Sequence, residues 1–381
     1  MELILETAGE SHGPGLTAIL AGIPCGTPVS SEFIDARLAA RQRGYGRSAR
    51  QRVEHDRVRF SAGIRDGFAT GNPIALHVDN RDTTYASMPP VNAPRPGHAD
   101  LAGALNRGSL DARDVVERSS ARETAVRTAA GAVAAAFLEA LGIRVLGHVR
   151  ALAGVDVGGD VGADLESSRA RRDASAIHAL GASDAVATAM AAIDEAKAEG
   201  DTLGGVVEVV ATGCPPGLGG HERPEEKVSA RLAGALVGIQ AVRGVELGDG
   251  FLSAARRGSE VHDVILPADG QALRRPTNRA GGIEGGTSNG EPIVVRCAMK
   301  PLATLREALA SVDLRTGLAA PARVERSDVT AVPSLAIVAE AVVALELARA
   351  IRRRYGGAHL EEVRAAMAFH ARRRDGIGRA P

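Results

Sequence analysis

The chain has no tryptophan, three tyrosines and six phenylalanines among its 381 residues. So few stacking platforms argue against a single-stranded nucleic-acid binder, and no nucleic-acid partner is expected. Cysteine is also scarce: Cys25, Cys214 and Cys297 lie far apart, with no Cys-x-x-Cys pair. That excludes a disulfide framework and a standard zinc site, so no metal is expected, and it suggests a reducing compartment. There is no run of eighteen apolar residues, so neither a transmembrane helix nor a membrane partner is expected. The opening Met1-Glu2-Leu3-Ile4-Leu5-Glu6 lacks a basic n-region and a long apolar core, so a signal peptide is not expected and a cytoplasmic location is. Lysine occurs only at Lys197, Lys227 and Lys300, against 43 arginines. A GC-rich genome explains most of that imbalance, and it makes Lys300 more informative than a lysine usually is.

What the chain does contain is a repeat. Gly9-Glu10-Ser11-His12-Gly13, running on to Gly22-Ile23-Pro24-Cys25-Gly26, matches Gly200-Asp201-Thr202-Leu203-Gly204, running on to Gly213-Cys214-Pro215-Pro216-Gly217. Ala36-Arg37-Leu38-Ala39 matches Ala230-Arg231-Leu232-Ala233. Gly63-Ile64, Gly67, Gly71 and Pro73-Ile74 recur at identical spacing as Gly282-Ile283, Gly286, Gly290 and Pro292-Ile293. Val116-Glu117-Arg118-Ser119 recurs as Val324-Glu325-Arg326-Ser327. Four matches in one order imply two copies of a unit, about 1–145 and 195–357, in a single domain, with a helical tail over 358–381.

Each copy reads as a Gly-bounded strand (Leu16 to Leu20; Val206 to Val210), a helix (Ser31 to Gln42; Pro224 to Gln240), a Gly-rich turn and strand (Ile74 to Val78; Ile293 to Cys297), and a long helix. Ser120-Ala121-Arg122-Glu123 reads as a capping box opening the first long helix. Pro333 and Gly356 bracket the second. Without strict βαβ alternation, the class expected is α+β with antiparallel sheets. Residues 150–182 are rich in Gly, Asp and Arg and lack periodicity, as a linker or excursion would.

Several places could carry chemistry. Arg118 with Ser119-Ser120 at a helix N-terminus suits a phosphate, or Ser120 simply caps the helix. The Gly-rich stretch Asn278 to Asn289 allows close approach of a flat ligand, or forms a mobile turn. Eight arginines between Arg37 and Arg59, interleaved with Asp35, Glu54 and Asp56, suit a small polyanion, a solvated face or a nucleic-acid patch. His12 and His98 both sit in Gly-flanked turns, where histidine can exchange protons near neutral pH.

Gly9-Glu10-Ser11-His12-Gly13, Arg95-Pro96-Gly97-His98-Ala99-Asp100, Arg118-Ser119-Ser120-Ala121-Arg122-Glu123, Gly200-Asp201-Thr202-Leu203-Gly204-Gly205 and Gly248-Asp249-Gly250-Phe251 resemble the signatures of the chorismate synthases. So do Asn278-Arg279-Ala280-Gly281-Gly282, Ser288-Asn289-Gly290 and Arg326-Ser327-Asp328, all in family order. The resemblance implies helices sandwiched between two antiparallel sheets, internal pseudo-symmetry and a homotetramer. It implies conversion of 5-enolpyruvylshikimate 3-phosphate to chorismate and phosphate, requiring reduced FMN without net redox change. NADPH would act only indirectly, through flavin reduction, and with no second domain for that task an external flavin reductase is expected. Carried over by position, FMN contacts fall on Arg118, Ser119, Ser120, Gln240, Ala241, Gly285, Lys300, Pro301, Leu302, Ala303, Thr304 and Arg326. Substrate contacts fall on Arg41, Arg47 and Arg122, and proton handling on His12, His98 and Asp328. One departure is Ser327, where many members have His. Two rivals remain at this point: another flavoprotein sharing only the FMN site, and a nucleic-acid binder using the Arg37–Arg59 segment.

Overall fold

The computed structural model describes residues 2–47, 55–268, 271–325 and 328–375. The first part of the chain supplies β1 (Ile4–Ala8), β2 (Gly15–Ala21), α1 (Ser31–Gln42), β3 (Val58–Ala62) and β4 (Ile74–Asp79). Then come α2 (Asp100–Arg107), α3 (Arg113–Ser119) and α4 (Thr124–Glu139). Strand β5 (Arg144–Leu152), helices α5 (Leu165–Ala174) and α6 (Ser183–Glu199), strand β6 (Gly205–Thr212) and helix α7 (Val228–Val237) follow. The main elements end with β7 (Val242–Leu247), β8 (Ile293–Met299), α8 (Val332–Tyr355) and α9 (Leu360–Asp375).

The strands form two antiparallel sheets, ordered β1-β2-β4-β3 and β5-β6-β8-β7 when read in the same direction, with a short strand at Val155–Asp156 beyond β5. In the first sheet, alternation turns Leu16, Leu20, Ile74, Leu76 and Val78 to one fully buried face. Helix α4 covers the first sheet, α8 covers the second, and the two helices pack on each other. The fold is therefore α+β, with helices held between two antiparallel sheets. Both inner helices are apolar on nearly every side, as a helix covered all round must be.

Much of the helix layer is alanine, and glycine allows its closest approaches. A β-carbon at Gly131 would lie 2.4 Å from the Ala341 methyl and 2.6 Å from its carbonyl oxygen. A β-carbon at Gly147, in β5, would lie 2.1 Å from the carbonyl of Ala336. The helices can stack this tightly only because these side chains are absent.

Residues 150–182 contain structure that their composition hides. Helix α5 buries Leu165, Ser168 and Arg172, so two of its three inward side chains are polar. Val161, Leu165 and Leu180 cover Leu146 and Val210 on the outer face of the second sheet. Arg172 reaches Gly147 O (3.1 Å) and the carboxylate of Glu340 on α8. Burial works to raise Glu340, but Arg169, Arg172 and Arg37 outweigh it and hold the carboxyl down to about 2.

The capping box also differs from expectation. Ser120 Oγ accepts from Arg122 N (3.3 Å), while Glu123 binds Thr7, Arg127 and Gln240 and does not return to Ser120 N. Ser119 ends α3, and Ser120 caps a 3₁₀ turn over Ala121–Glu123 that leads into α4. Neither serine sits at the start of a long helix.

The helix contact yields a test with opposite signs. Helix propensity favours Ala over Gly by about 1 kcal/mol, yet the backbone contact at Gly131 makes overpacking the larger effect. Gly131→Ala should lower stability by about 1–3 kcal/mol in urea unfolding. Gly234→Ala in α7, where a β-carbon would meet nothing within 4 Å, should raise it by about 0.5–1 kcal/mol.

Candidate active site

A cavity of about 420 Å³ opens where α4 and α8 begin, lined by Ala121, Arg122 and Thr124 on one side and Ala331, Ser334, Leu335 and Val338 on the other. Helix N-termini carry partial positive charge and suit an anion. The walls also carry Arg41, Arg47, Arg95, Arg122 and Lys300, against Glu117, Glu325 and Asp328.

His12 stands on the turn between β1 and β2, and three neighbours hold that turn. Asn80, just past β4, donates from Nδ2 to the carbonyls of Glu10, Ser11 and Gly13 (2.8–3.3 Å). Arg118 donates to Thr7 O and Oγ1 (both 2.8 Å) and Gly9 O (3.4 Å). Glu117 accepts from His12 N (2.8 Å) and faces Nδ1 with both oxygens (3.0 and 3.1 Å). A carboxylate only accepts, so Nδ1 carries the proton in the neutral ring and Nε2 is left unprotonated, 3.9 Å from Asp82. Burial works to raise Glu117, yet the His12 and Arg113 contacts hold it below its ordinary value.

His98 is built alike. Its Nδ1 meets Asp100 Oδ1, and Arg95 grips the same carboxylate through Nε (2.8 Å) and Nη2 (3.1 Å). Burial would raise Asp100, but the His98 and Arg95 hydrogen bonds outweigh it and hold the carboxyl well below the usual range. Arg95 also donates to Thr304 Oγ1 (2.9 Å) on the opposite wall.

The arginines are ordered in pairs around carboxylates. Asp56, fully buried, binds Arg41 Nη1 through one oxygen (3.2 Å) and Arg122 Nη1 through the other (2.6 Å). Arg41 also donates to Thr124 Oγ1 and Ala121 O, and Arg122 to Asn80 Oδ1 and Asp79 O. Burial lowers Arg41 to about 10, with Asp56 opposing, so it stays charged at neutral pH. Arg47 pairs with Asp328 (3.1 Å), while its buried Nε has no hydrogen-bond partner among the described residues. Lys300 has no carboxylate partner among the described residues, and burial followed by the charge of Arg243 lowers its pKa.

The cavity thus brings together His12, His98 and Asp328, the arginines Arg41, Arg47 and Arg122, and Ser119, Ser120, Gln240, Ala241, Lys300, Leu302, Ala303 and Thr304. Arg118, Gly285 and Pro301 are not among its lining residues. Arg118 supports the turn that carries His12, and Gly285 lies in the tight hairpin of Ile283–Glu284 and Thr287–Ser288. Arg326 and Ser327 fall outside the described residues. Sequence reasoning assigned no role to Asp56, Glu117, Asp100, Arg95, Asn80 or Glu325. Asp100 and Glu117 were within reach, one two positions after His98 and the other inside the repeated Val-Glu-Arg-Ser. Ala241 holds a left-handed φ of +65° in the cavity wall, a strained position for a residue with a β-carbon.

The walls fit an anionic cofactor. Among the described residues Gln240 Oε1 is buried without a donor and Lys300 has no carboxylate partner, and Ser120 Oγ bonds to Ser11 Oγ (3.1 Å).

Comparison with known proteins identifies the family. Residues 3–351 match the family model described as chorismate synthase. The chain is 50% identical over 373 residues to the chorismate synthase of Symbiobacterium thermophilum, covering 93% of this chain and 95% of that protein. It is 48% identical over 376 residues to that of Thermobifida fusca, covering 93% and 95%. A crystal structure of a chorismate synthase superposes with a TM-score of 0.82 at 36% identity, covering 99% of both chains.

The Asp56 bridge makes a specific demand. Asp56→Ala removes the carboxylate that bridges two buried guanidiniums, so urea unfolding should show a loss of about 3–5 kcal/mol.

Proposed function

The chain belongs to the chorismate synthase family, and from that premise we propose that the cavity between the starts of α4 and α8 is its active site. The reaction is the 1,4-anti elimination of phosphate from 5-enolpyruvylshikimate 3-phosphate to give chorismate, a carbon–oxygen lyase step of aromatic amino-acid biosynthesis. One observation carries the placement: a single cavity collects His12, His98 and Asp328 with five cationic side chains. The substrate bears two carboxylates and a phosphate, so its pocket needs several fixed cations. Arg47, whose buried Nε has no partner among the described residues, is the strongest candidate for a direct contact. Arg41 and Arg122, cross-braced by Asp56, hold a positive field at fixed geometry.

Reduced FMN is the cofactor proposed, held by Ser119, Ser120, Gln240, Ala241, Lys300 and Leu302 to Thr304, with Arg118 acting through the His12 turn. The chemistry that reduced flavin supplies when bound is electron density for the allylic carbon as phosphate leaves, recovered as hydrogen departs. His98, held by Asp100 and Arg95, is placed to protonate the leaving phosphate. His12, kept in one tautomer by Glu117, balances protonation at the cofactor ring. Asp328, held by Arg47, accepts the departing proton. We further propose a homotetramer, a cytoplasmic location and an external flavin reductase drawing on NADPH. We also propose that the two sheets with their long helices are copies of one duplicated unit. The matching strand order of the sheets supports that reading.

Two outcomes test the assignment. Under anaerobic conditions, dithionite-reduced FMN should support turnover of 5-enolpyruvylshikimate 3-phosphate and be recovered reduced, while oxidised FMN should give none; equal rates with both forms would exclude the mechanism. The repeat supplies a second test, because His12 lines the cavity whereas its counterpart Leu203 packs against the core. His12→Ala should lower kcat by roughly 10²–10⁴ with little change in Tm. Leu203 is only half-buried, so Leu203→Ala should cost about 1–2 kcal/mol of stability, below the range for a fully buried leucine, with a modest change in kcat.

A further inference from the structure

The two histidines are not electrostatically separate. Beyond Glu117 lies Arg113, whose Nη1 is 3.3 Å from Glu117 Oε1 and 3.6 Å from Glu325 Oε1. Glu325 Oε2 is 3.8 Å from Arg95 Nη1, and Arg95 holds Asp100, the partner of His98. An unbroken row of alternating charge therefore runs His12, Glu117, Arg113, Glu325, Arg95, Asp100, His98. The side chains of Glu117 and Asp100 are fully buried, those of Arg113 and Arg95 are 5% and 6% exposed, and that of Glu325 is 23% exposed, so solvent screens little of the row except at Glu325.

We propose that Glu325 is a positioning residue that sets the charge balance at both histidines at once, through Arg113 on one side and Arg95 on the other. The sequence points to the same residue independently. Glu325 occupies in Val324-Glu325-Arg326-Ser327 the place that Glu117 holds in Val116-Glu117-Arg118-Ser119. The two matching glutamates meet on one guanidinium. Glu117 binds a histidine directly, whereas Glu325 lies in the cavity wall, with Arg323 Nε at 2.6 Å as its third cation. Its charge partly neutralises Arg113 and Arg95, and each of these stabilises the carboxylate that orders an imidazole. The other charged groups near the ends of the row are Asp82, at His12, and Lys300, whose Nζ comes close to Gly97 beside His98.

The sign follows from charge. Without the Glu325 carboxylate, Arg113 and Arg95 present more net positive charge to both rings, so each imidazolium is disfavoured and each histidine titrates at lower pH. The inference rests on the reading of His12 and His98 as the proton-handling pair. It is tested without turnover, so its failure and the failure of that reading are distinguishable. In the full-length protein, the ring signals of His12 and His98, assigned by single His→Asn substitutions, are titrated by NMR in the native chain and in Glu325→Gln. Both midpoints should fall together, by on the order of half a pH unit, while the other histidines stay fixed. A change at one histidine only, or at neither, overturns the coupling. Should Glu325→Gln not fold, Glu325→Asp keeps the charge but draws it back from both guanidiniums. Both midpoints should then fall by a smaller amount, and two unmoved midpoints overturn the proposal equally. Turnover reads separately: if both midpoints move while kcat keeps its pH profile, the coupling stands and the assignment of the histidines fails.

Discussion

The contact between α4 and α8 sets the dimensions of everything around it. Gly131 lets the backbone of α8 approach at Ala341, and Gly147 lets β5 approach the same helix at Ala336. Small residues on the facing surfaces bring two sheets close enough to share one helix layer. Dense packing of this kind tolerates few volume changes. It also fixes where the two helices begin, and the cavity lies at those beginnings. The anion-attracting ends of two helices converge because the packing leaves them no other register.

On that frame, the site is built by burying charge in balanced groups. Asp56 takes two arginines, Asp100 an arginine and a histidine, and Glu117 a histidine and an arginine. Each carboxylate is desolvated at a cost and offset by two donors, which is the condition under which buried charge is tolerable. Side chains locked by such pairing lose little further freedom when a polyanion arrives, so the pocket is preorganised. Lys300, Arg47 Nε and Gln240 Oε1 stand apart from this balance and remain for a bound group to satisfy.

Much of this was legible in the sequence, and the exceptions have physical causes. Helix Ser31–Gln42 was readable from residue to residue, and the strands around Leu16, Ile74, Val206 and Ile293 were readable from alternation and flanking glycines. Helix α5 was hidden because its inward positions include Ser168 and Arg172, which hydrophobic periodicity reads as surface. The capping motif at Ser120 was misread because Glu123 has stronger partners in Thr7 and Arg127. At the site, residue types exposed the histidines and arginines, but not the carboxylates that order them. Asp56 reads as one acid among basic neighbours until folding brings Arg122 to it, 66 positions away. The left-handed backbone of Ala241 carries no sequence signature at all.

The cavity draws its walls from Ser11 through to Val338. Synthesis is vectorial, at roughly 5–20 residues per second, so a growing chain has finished its first sheet long before α8 leaves the ribosome. Until then α4 has no partner across the layer, and the cavity lacks the wall of Ser334, Leu335 and Val338. Ligand binding therefore cannot guide the early stages of folding, since the binding surface appears only with the last long helix. Until then the half-made chain carries α4 covered by the first sheet and α1 but bare on the side that α8 will take.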